Sequence, residues 1–258
     1  MWKVNHWSGA VIMQKNTCKF LFEDLGNISY KDAWEYQEKL FREVITQKLA
    51  KEENPELLPK DGLNYLLFCE HPHVFTLGKS GKVENLLVSV QQLEANHVSF
   101  FKTNRGGDIT YHGPGQIVAY PIFDLELLGL SIHDYIHHLE ETIILALASF
   151  GVKGERLKGA TGVWIEPFDN IRARKICAIG VRASRWVTMH GLALNVNTDL
   201  SWFRLINPCG FTDKAVTSLE KEIGLKIAGI EVKQILKEKF SEVFGIRFLE
   251  SEVIEIKS

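Results

Sequence analysis

The stretch RKICAIGVRASRWVTMHGLALNVN, residues 174–197, decides the fold. It holds two apolar runs rich in β-branched residues, separated by the polar and aromatic trio Ser184, Arg185 and Trp186. Such runs on either side of a short turn read as a pair of antiparallel strands. TGVWIE, residues 161–166, is a third strand close ahead of them, so the region predicts an antiparallel meander. Moving toward the N-terminus, IHDYIHHLEETIILALASF has helical spacing. Ser131 and Asp134 open this helix and Gly151 closes it.

QIVAYPIFDL, HVSFFKT, HVFTLG and LNYLLFCE each read as short strands, and Ser89 with Gln92 forms a capping box for a short helix. The segment DAWEYQEKLFREVITQKLAKE puts Trp34, Leu40, Phe41, Val44, Ile45 and Leu49 on one helical face. ENPELLPKDG then stops that helix with two prolines and a glycine. The chain ends in a helix, EVKQILKEKFSEVF, and a strand, GIRFLE. Strands and helices cluster rather than alternate. The expected fold class is therefore α+β, one domain over residues 1–258 with mixed, mostly antiparallel sheets flanked by helices.

Composition bounds the function. With 258 residues and 45% hydrophobic content the chain can bury one large core. A formal net charge of -2 gives no sign of a nucleic-acid binder. No apolar run reaches the roughly 18 residues of a membrane span, and the N-terminus lacks a signal-peptide h-region. Cysteines 18, 69, 177 and 209 show no paired spacing, which predicts reduced thiols in a cytoplasmic compartment. Residues 151–185 carry eight lysines and arginines against three acidic residues. That asymmetry reads either as solvated loops or as a docking surface for an acidic partner, in which case activity falls as salt rises.

Four features carry candidate chemistry. RGGDITYHGPGQ, residues 105–116, packs four glycines and a proline among Arg, Asp, Tyr and His, as a loop that lets backbone approach a ligand. HVFTLGKS ends like a phosphate-binding loop, but His73 stands where the first glycine belongs, so nucleotide binding by that route is discounted. His133 and His137 have a metal-compatible spacing with no third ligand nearby, and no metal site is assigned; His71 and His73 flank Pro72 and suit a pocket wall. Cys18 and Cys69 lie among apolar residues and read as core. Cys177 and Cys209 both remain open as nucleophiles. Cys177 would share a strand face with Lys175 by simple alternation. Cys209, in the Pro208-Cys209-Gly210 loop, is the better placed of the two.

Taken together, EHPHVFTLGK, RGGDITYHGPGQIVAYPIFDL, GATGVWI, RKICAIGVRASRWVTMHGLALNVNTDL and INPCG with VTSL resemble the octanoyltransferases, also called lipoyl(octanoyl) transferases. The resemblance covers about residues 24–220; residues 1–20 and 225–258 are less diagnostic. It implies a biotin/lipoate protein ligase-like fold. It implies transfer of an octanoyl group from octanoyl-acyl carrier protein to a lysine of lipoyl domains. Those acceptors are the 2-oxoacid dehydrogenase E2 subunits and the glycine cleavage H protein, and no cofactor is involved. It makes Cys209 the thioester-forming residue and Lys175 its partner, with Cys177 only a neighbour. It places acyl binding on Arg105, Gly106, Gly107, Asp108, Ile109, Thr110, Tyr111 and His112, on Ala178, Ile179 and Gly180, and on Gly191, Leu192 and Ala193. Val118, Ala178, Ile179 and Leu192 would line an apolar slot with Arg105 and His112 at its polar mouth, and Lys175 or His112 would accept the amine proton. The competing expectations are an ATP-dependent lipoate or biotin ligase and a non-catalytic lipoyl-domain binder.

Overall fold

A computed structural model describes residues 19–53, 62–207 and 215–250. Along the chain run β1 (Lys19–Asn27), α1 (Tyr30–Glu53), β2 (Leu63–Glu70), β3 (Val74–Leu77), α2 (Val90–Ala95), β4 (Ser99–Lys102), β5 (Ile109–His112) and β6 (Gln116–Ile122). They are followed by α3 (Leu125–Leu128), α4 (Ile132–Ala148), β7 (Glu155–Leu157), β8 (Ala160–Ile165), β9 (Arg174–Ser184) and β10 (Val187–Asn195). The last elements are β11 (Ala215–Val216), α5 (Leu219–Ile223), α6 (Gly229–Phe244) and β12 (Phe248–Glu250).

The large sheet has the order β12-β1-β2-β6-β10-β9-β8-β7, with β11 beside β9; a small sheet has the order β4-β3-β5. The meander from β7 to β10 is antiparallel as expected, and so are β10–β6 and β6–β2. The β1–β2, β1–β12 and β3–β4 pairs are parallel, which makes both sheets mixed. Every residue of β6 and β10 is buried. Central strands covered on both faces need apolar side chains in both directions, hence the unbroken character of QIVAYPI and VTMHGLALN.

α1 covers one face of the sheet, while α4 and α6 pack together on the other. Phe123, at the end of β6, meets Phe20 and Phe244 edge to face, each at 5.4 Å between ring centres. Such pairs add about 1 kcal/mol each beyond simple burial. The buried stripe of α1 is Tyr30, Ala33, Gln37, Leu40, Phe41 and Val44. It is turned from the expected one, because Trp34, Ile45 and Leu49 are only half-buried. Gln37 belongs to it because its Oε1 accepts the His190 backbone N–H at 3.0 Å. Both capping boxes, at Ser89 and Ser131, are formed. No helix among the described residues is long and apolar enough to cross a membrane.

Candidate active site

Where the small sheet meets β6, β10 and β9, a cavity of about 420 Å³ opens, within the ~300–1,000 Å³ range of small-molecule sites. Its floor is Val118 and Tyr120 on β6, Ala178, Ile179 and Gly180 on β9, and Gly191, Leu192 and Ala193 on β10. Gly191 is required here, since a Cβ on it would stand 2.0 Å from the Ala119 carbonyl oxygen. Gly180 allows the 105–108 loop to close over the sheet, because a Cβ there would lie 2.8 Å from the Gly106 oxygen.

Lys175 reaches this cavity through an irregularity that simple alternation does not anticipate. Val163 pairs with Cys177, but the next residue, Trp164, pairs with Lys175, so Ile176 is an extra residue in β9. A bulge of this kind re-aims side chains. Ile176 and Cys177 both enter the core, and Lys175 joins Ala178 at the cavity. The expectation that Lys175 and Cys177 share a face is thereby corrected. The Lys175 ammonium donates to the Thr161 carbonyl at 3.1 Å and lies 4.7 Å from the Trp164 ring centre, two partners suited to a cation. The buried carboxylate of Glu140 accepts the adjoining Gly162 N–H at 3.0 Å and so anchors the strand end that carries Thr161.

The glycine-rich stretch is not one loop, because Ile109–His112 pairs with β3 as an edge strand. Arg105 is a clamp for it rather than an open polar mouth. Its guanidinium donates to the carbonyl oxygens of Thr76, Gly106 and Asp108 and to Thr76 Oγ1. The N–H groups of Gly78, Lys79 and Ser80 are bonded to the carbonyls of Asp108, Arg105 and Gly107, so none of them faces a phosphate.

A buried polar chain fixes His112. Gln116 Nε2 donates to Asn195 Oδ1 and to the Tyr111 carbonyl, which turns Gln116 Oε1 toward His112. His112 Nδ1 therefore donates to that oxygen at 2.8 Å, and Nε2 accepts from Thr76 Oγ1 at 3.3 Å. Burial, aided by His71 and Arg105, brings its pKa down to about 3. With both nitrogens engaged and low basicity, His112 is unsuited to the proton-accepting role expected of it. His71 and His190 are likewise held neutral, chiefly by burial, at about 4 and about 3.

Three buried neutral histidines make stability acid-sensitive. An unfolded histidine takes up a proton below pH ~6.5 while the folded one does not, so stability is complete above that value and falls as pH drops toward 3–4. Between pH 8 and 5.5 these groups are expected to lower the unfolding free energy by about 4 kcal/mol together. Urea titrations at the two pH values check this, and equal midpoints would refute it.

Of the expected acyl-binding residues, Arg105, Gly107, Asp108, Ile109, Thr110, His112, Ala178, Ile179, Gly180, Gly191, Leu192 and Ala193 line the cavity together with Lys175. Gly106 instead donates its N–H to the Val181 carbonyl. Tyr111 points away, stacked on Trp202 and bonded to His73. Cys209 and Cys18 lie outside the described residues. Of the chain flanking 208–214, Phe203 and Val216 both line the cavity, and Val216 pairs with Lys175. Cys69 and Cys177 are fully buried, and burial pushes both thiols well up. No group of three metal-ligating side chains forms among the described residues.

Sequence reading did not single out Tyr30, Tyr120, Thr161, Asn195 or His190, all of which line the cavity. The basic segment is largely paired inside the fold. Lys153, Arg156, Arg172, Arg174 and Arg182 all have carboxylate partners, four of which (Glu38, Glu140, Glu141 and Glu222) come from outside the segment.

Residues 29–241 match the family model described as the lipoyl protein ligase A/B catalytic domain. An octanoyltransferase of Cytophaga hutchinsonii is 54% identical over 91% of this chain and 96% of its own length. One of Parabacteroides distasonis is 55% identical over 88% and 99%. Among solved structures, a bipartite lipoate protein ligase of Thermoplasma acidophilum superposes with a TM-score of 0.67 at 17% identity, covering 92% of this chain and 88% of that one. A lipoate-protein ligase A bound with ATP gives 0.62 at 17% identity, covering 92% and 90%. These structural likenesses concern the fold.

Proposed function

The chain belongs to the lipoyl protein ligase A/B catalytic-domain family, with the octanoyltransferases, and is an acyltransferase; we propose that it carries an octanoyl group from acyl carrier protein to a lipoyl-domain lysine through a thioester on Cys209. One observation carries the reading. Lys175 stands in a cavity built from the expected acyl-binding residues, and Phe203 and Val216, on either side of the Cys209 segment, border that same cavity.

In the first half-reaction the Cys209 thiolate attacks the donor's thioester carbonyl. The tetrahedral intermediate collapses, breaks the old C–S bond, and releases the carrier's sulfur as a thiol that takes its proton from the Lys175 ammonium, leaving Lys175 neutral for the next step. An unperturbed thiol with a pKa near 8.5 is only a few per cent thiolate at pH 7. A Lys175 ammonium close enough to lower that value by about two units supplies roughly 2.7 kcal/mol in favour of the thiolate. In the second half-reaction the acceptor lysine's amine attacks the acyl-enzyme, an amide forms, and the sulfur leaves as thiolate. Lys175, rather than His112, takes the amine proton. Exchange of a thioester for an amide is downhill and consumes no nucleotide. Lipoyl domains of 2-oxoacid dehydrogenases and the glycine cleavage H protein are the acceptors this chemistry serves.

The octanoyl chain lies over Val118, Ala178, Ile179 and Leu192, where burial at about 0.8 kcal/mol per methylene contributes on the order of 5 kcal/mol. Incubation with octanoyl-acyl carrier protein and no acceptor is expected to add one octanoyl mass to the peptide containing Cys209. Turnover of free octanoate that requires ATP, without such labelling, would instead make the chain a ligase.

A further inference from the structure

Glu140 sits in the middle of α4 and is 5% exposed. The rest of the face that α4 buries is Tyr135, Leu139, Thr142, Ile143, Ala146 and Leu147, so an acid there breaks the pattern. Taking an ion out of water is costly, and well-packed apolar side chains often serve stability as well as a buried ion pair does. The partners of this carboxylate say what it is for. Oε2 accepts from Arg156 Nε at 3.1 Å, and Oε1 accepts from the Gly162 N–H at 3.0 Å. Arg156 does not depend on that pairing, because its Nη2 also donates to Glu141 and to the His137 carbonyl. Gly162 has no such second support.

Strand β8 steps out of its ladders at this point. Toward β7 its paired residues are Trp164, Val163 and Ala160; toward β9 they are Val163, Trp164 and Ile165. Thr161 and Gly162 fall outside both registers. Gly162 makes the detour at φ 119°, where a Cβ would lie 2.5 Å from the Cys177 carbonyl oxygen. The peptide released from the ladders is the one that joins Thr161 to Gly162. A trans peptide points its C=O and its N–H in opposite directions from one rigid plane. Here the N–H ends on the Glu140 carboxylate, and the C=O accepts from the Lys175 ammonium at 3.1 Å. A dipole of about 3.5 D thus lies with an anion at its positive end and a cation at its negative end. Hydrogen bonds chained in this sense polarise and strengthen one another, and those to ions are the stronger kind.

We infer that Glu140 is a positioning residue for Lys175, acting through the Thr161–Gly162 peptide to hold the ammonium in its place at the cavity wall. The inference rests on the reading that Lys175 activates Cys209. Without the carboxylate this peptide turns over easily, since it has glycine on one side and belongs to neither ladder. The ammonium then loses the Thr161 oxygen, and with it its bearing on the thiol.

The test reads ionisation of Cys209 directly, as its rate of alkylation by iodoacetamide across neutral and alkaline pH, located by peptide mass. Glu140→Gln keeps an acceptor for the Gly162 N–H and is expected to leave the midpoint within about 0.3 units of wild type. Glu140→Leu and Glu140→Met fill the space without an acceptor. They are expected to raise the midpoint by about one unit, and to slow acyl-enzyme formation about threefold at pH 7 with almost no deficit at pH 9. Circular dichroism and the melting curve report the fold. A role in packing alone predicts that only the melting temperature moves. A folded apolar variant with the wild-type midpoint overturns the inference, and so does a glutamine variant as impaired as the apolar ones. A wild-type midpoint near 8.5 would overturn the parent reading, and this inference with it.

Discussion

Replacing Cys209 by serine is expected to abolish octanoyl transfer, with at least about a 10³-fold loss of turnover and no acyl-enzyme detectable by mass. A serine hydroxyl is a far weaker acid than a thiol, so a shift of about two units from a neighbouring ammonium leaves it protonated at pH 7. Cys177→Ser is the matched control. Cys177 is fully buried, donates to the Ala178 carbonyl, and packs in the core. Its replacement is expected to cost stability while leaving the Cys209 peptide fully labelled. Undiminished transfer by the Cys209→Ser variant would end the thioester mechanism, whatever else the fold suggests.

The second large effect belongs to Lys175. Lys175→Met is expected to slow acyl-enzyme formation about 25-fold at pH 7, the ratio of thiolate fractions for pKa values about two units apart around neutrality. The loss should depend on pH in a definite direction. On the proposed mechanism, a thiol shifted down by about two units is mostly ionised at neutrality, whereas the variant's unshifted thiol ionises only near 8.5. The deficit therefore narrows as pH rises and falls below about tenfold by pH 9. Lys175→Arg keeps the positive charge and is expected to restore most of the first half-reaction, but arginine cannot take a proton from the acceptor amine. Single-turnover measurements of each half-reaction separate these effects. A deficit of the same size at pH 7 and pH 9 would show that Lys175 acts by position rather than by charge.

Local patterns carried much of this molecule. The capping boxes at Ser89 and Ser131 marked helix starts, and RKICAIGVRAS is the β9 strand from end to end. β1 escaped notice because KFLFEDLGN has one buried residue and no clean alternation. β5 escaped because ITYH sits among glycines, and its pairing with β3 is a tertiary fact. The site was legible where motif residues line the cavity by themselves. It was not legible where a role depends on residues far apart in sequence, as with Asn104 and His190, or Gln116 and Asn195. The expected proton acceptor, His112, illustrates the difference. Its residue type suited the task, but partners at Thr76 and Gln116 left neither nitrogen available.

The extra residue at Ile176 has a consequence for how β9 tolerates change. Below it an odd-numbered position, Lys175, looks on the cavity; above it the even-numbered Ala178 and Gly180 do. One strand thus keeps two phases, and the join between them falls beside Lys175, the residue proposed to activate the thiol. Removing Ile176 would bring the ladder back into step and, because Lys175 would then alternate directly with the buried Cys177, keep the amine on the same face as Ala178. Removing both Ile176 and Cys177 would set Lys175 next to Ala178 and turn its side chain to the opposite, core-facing side.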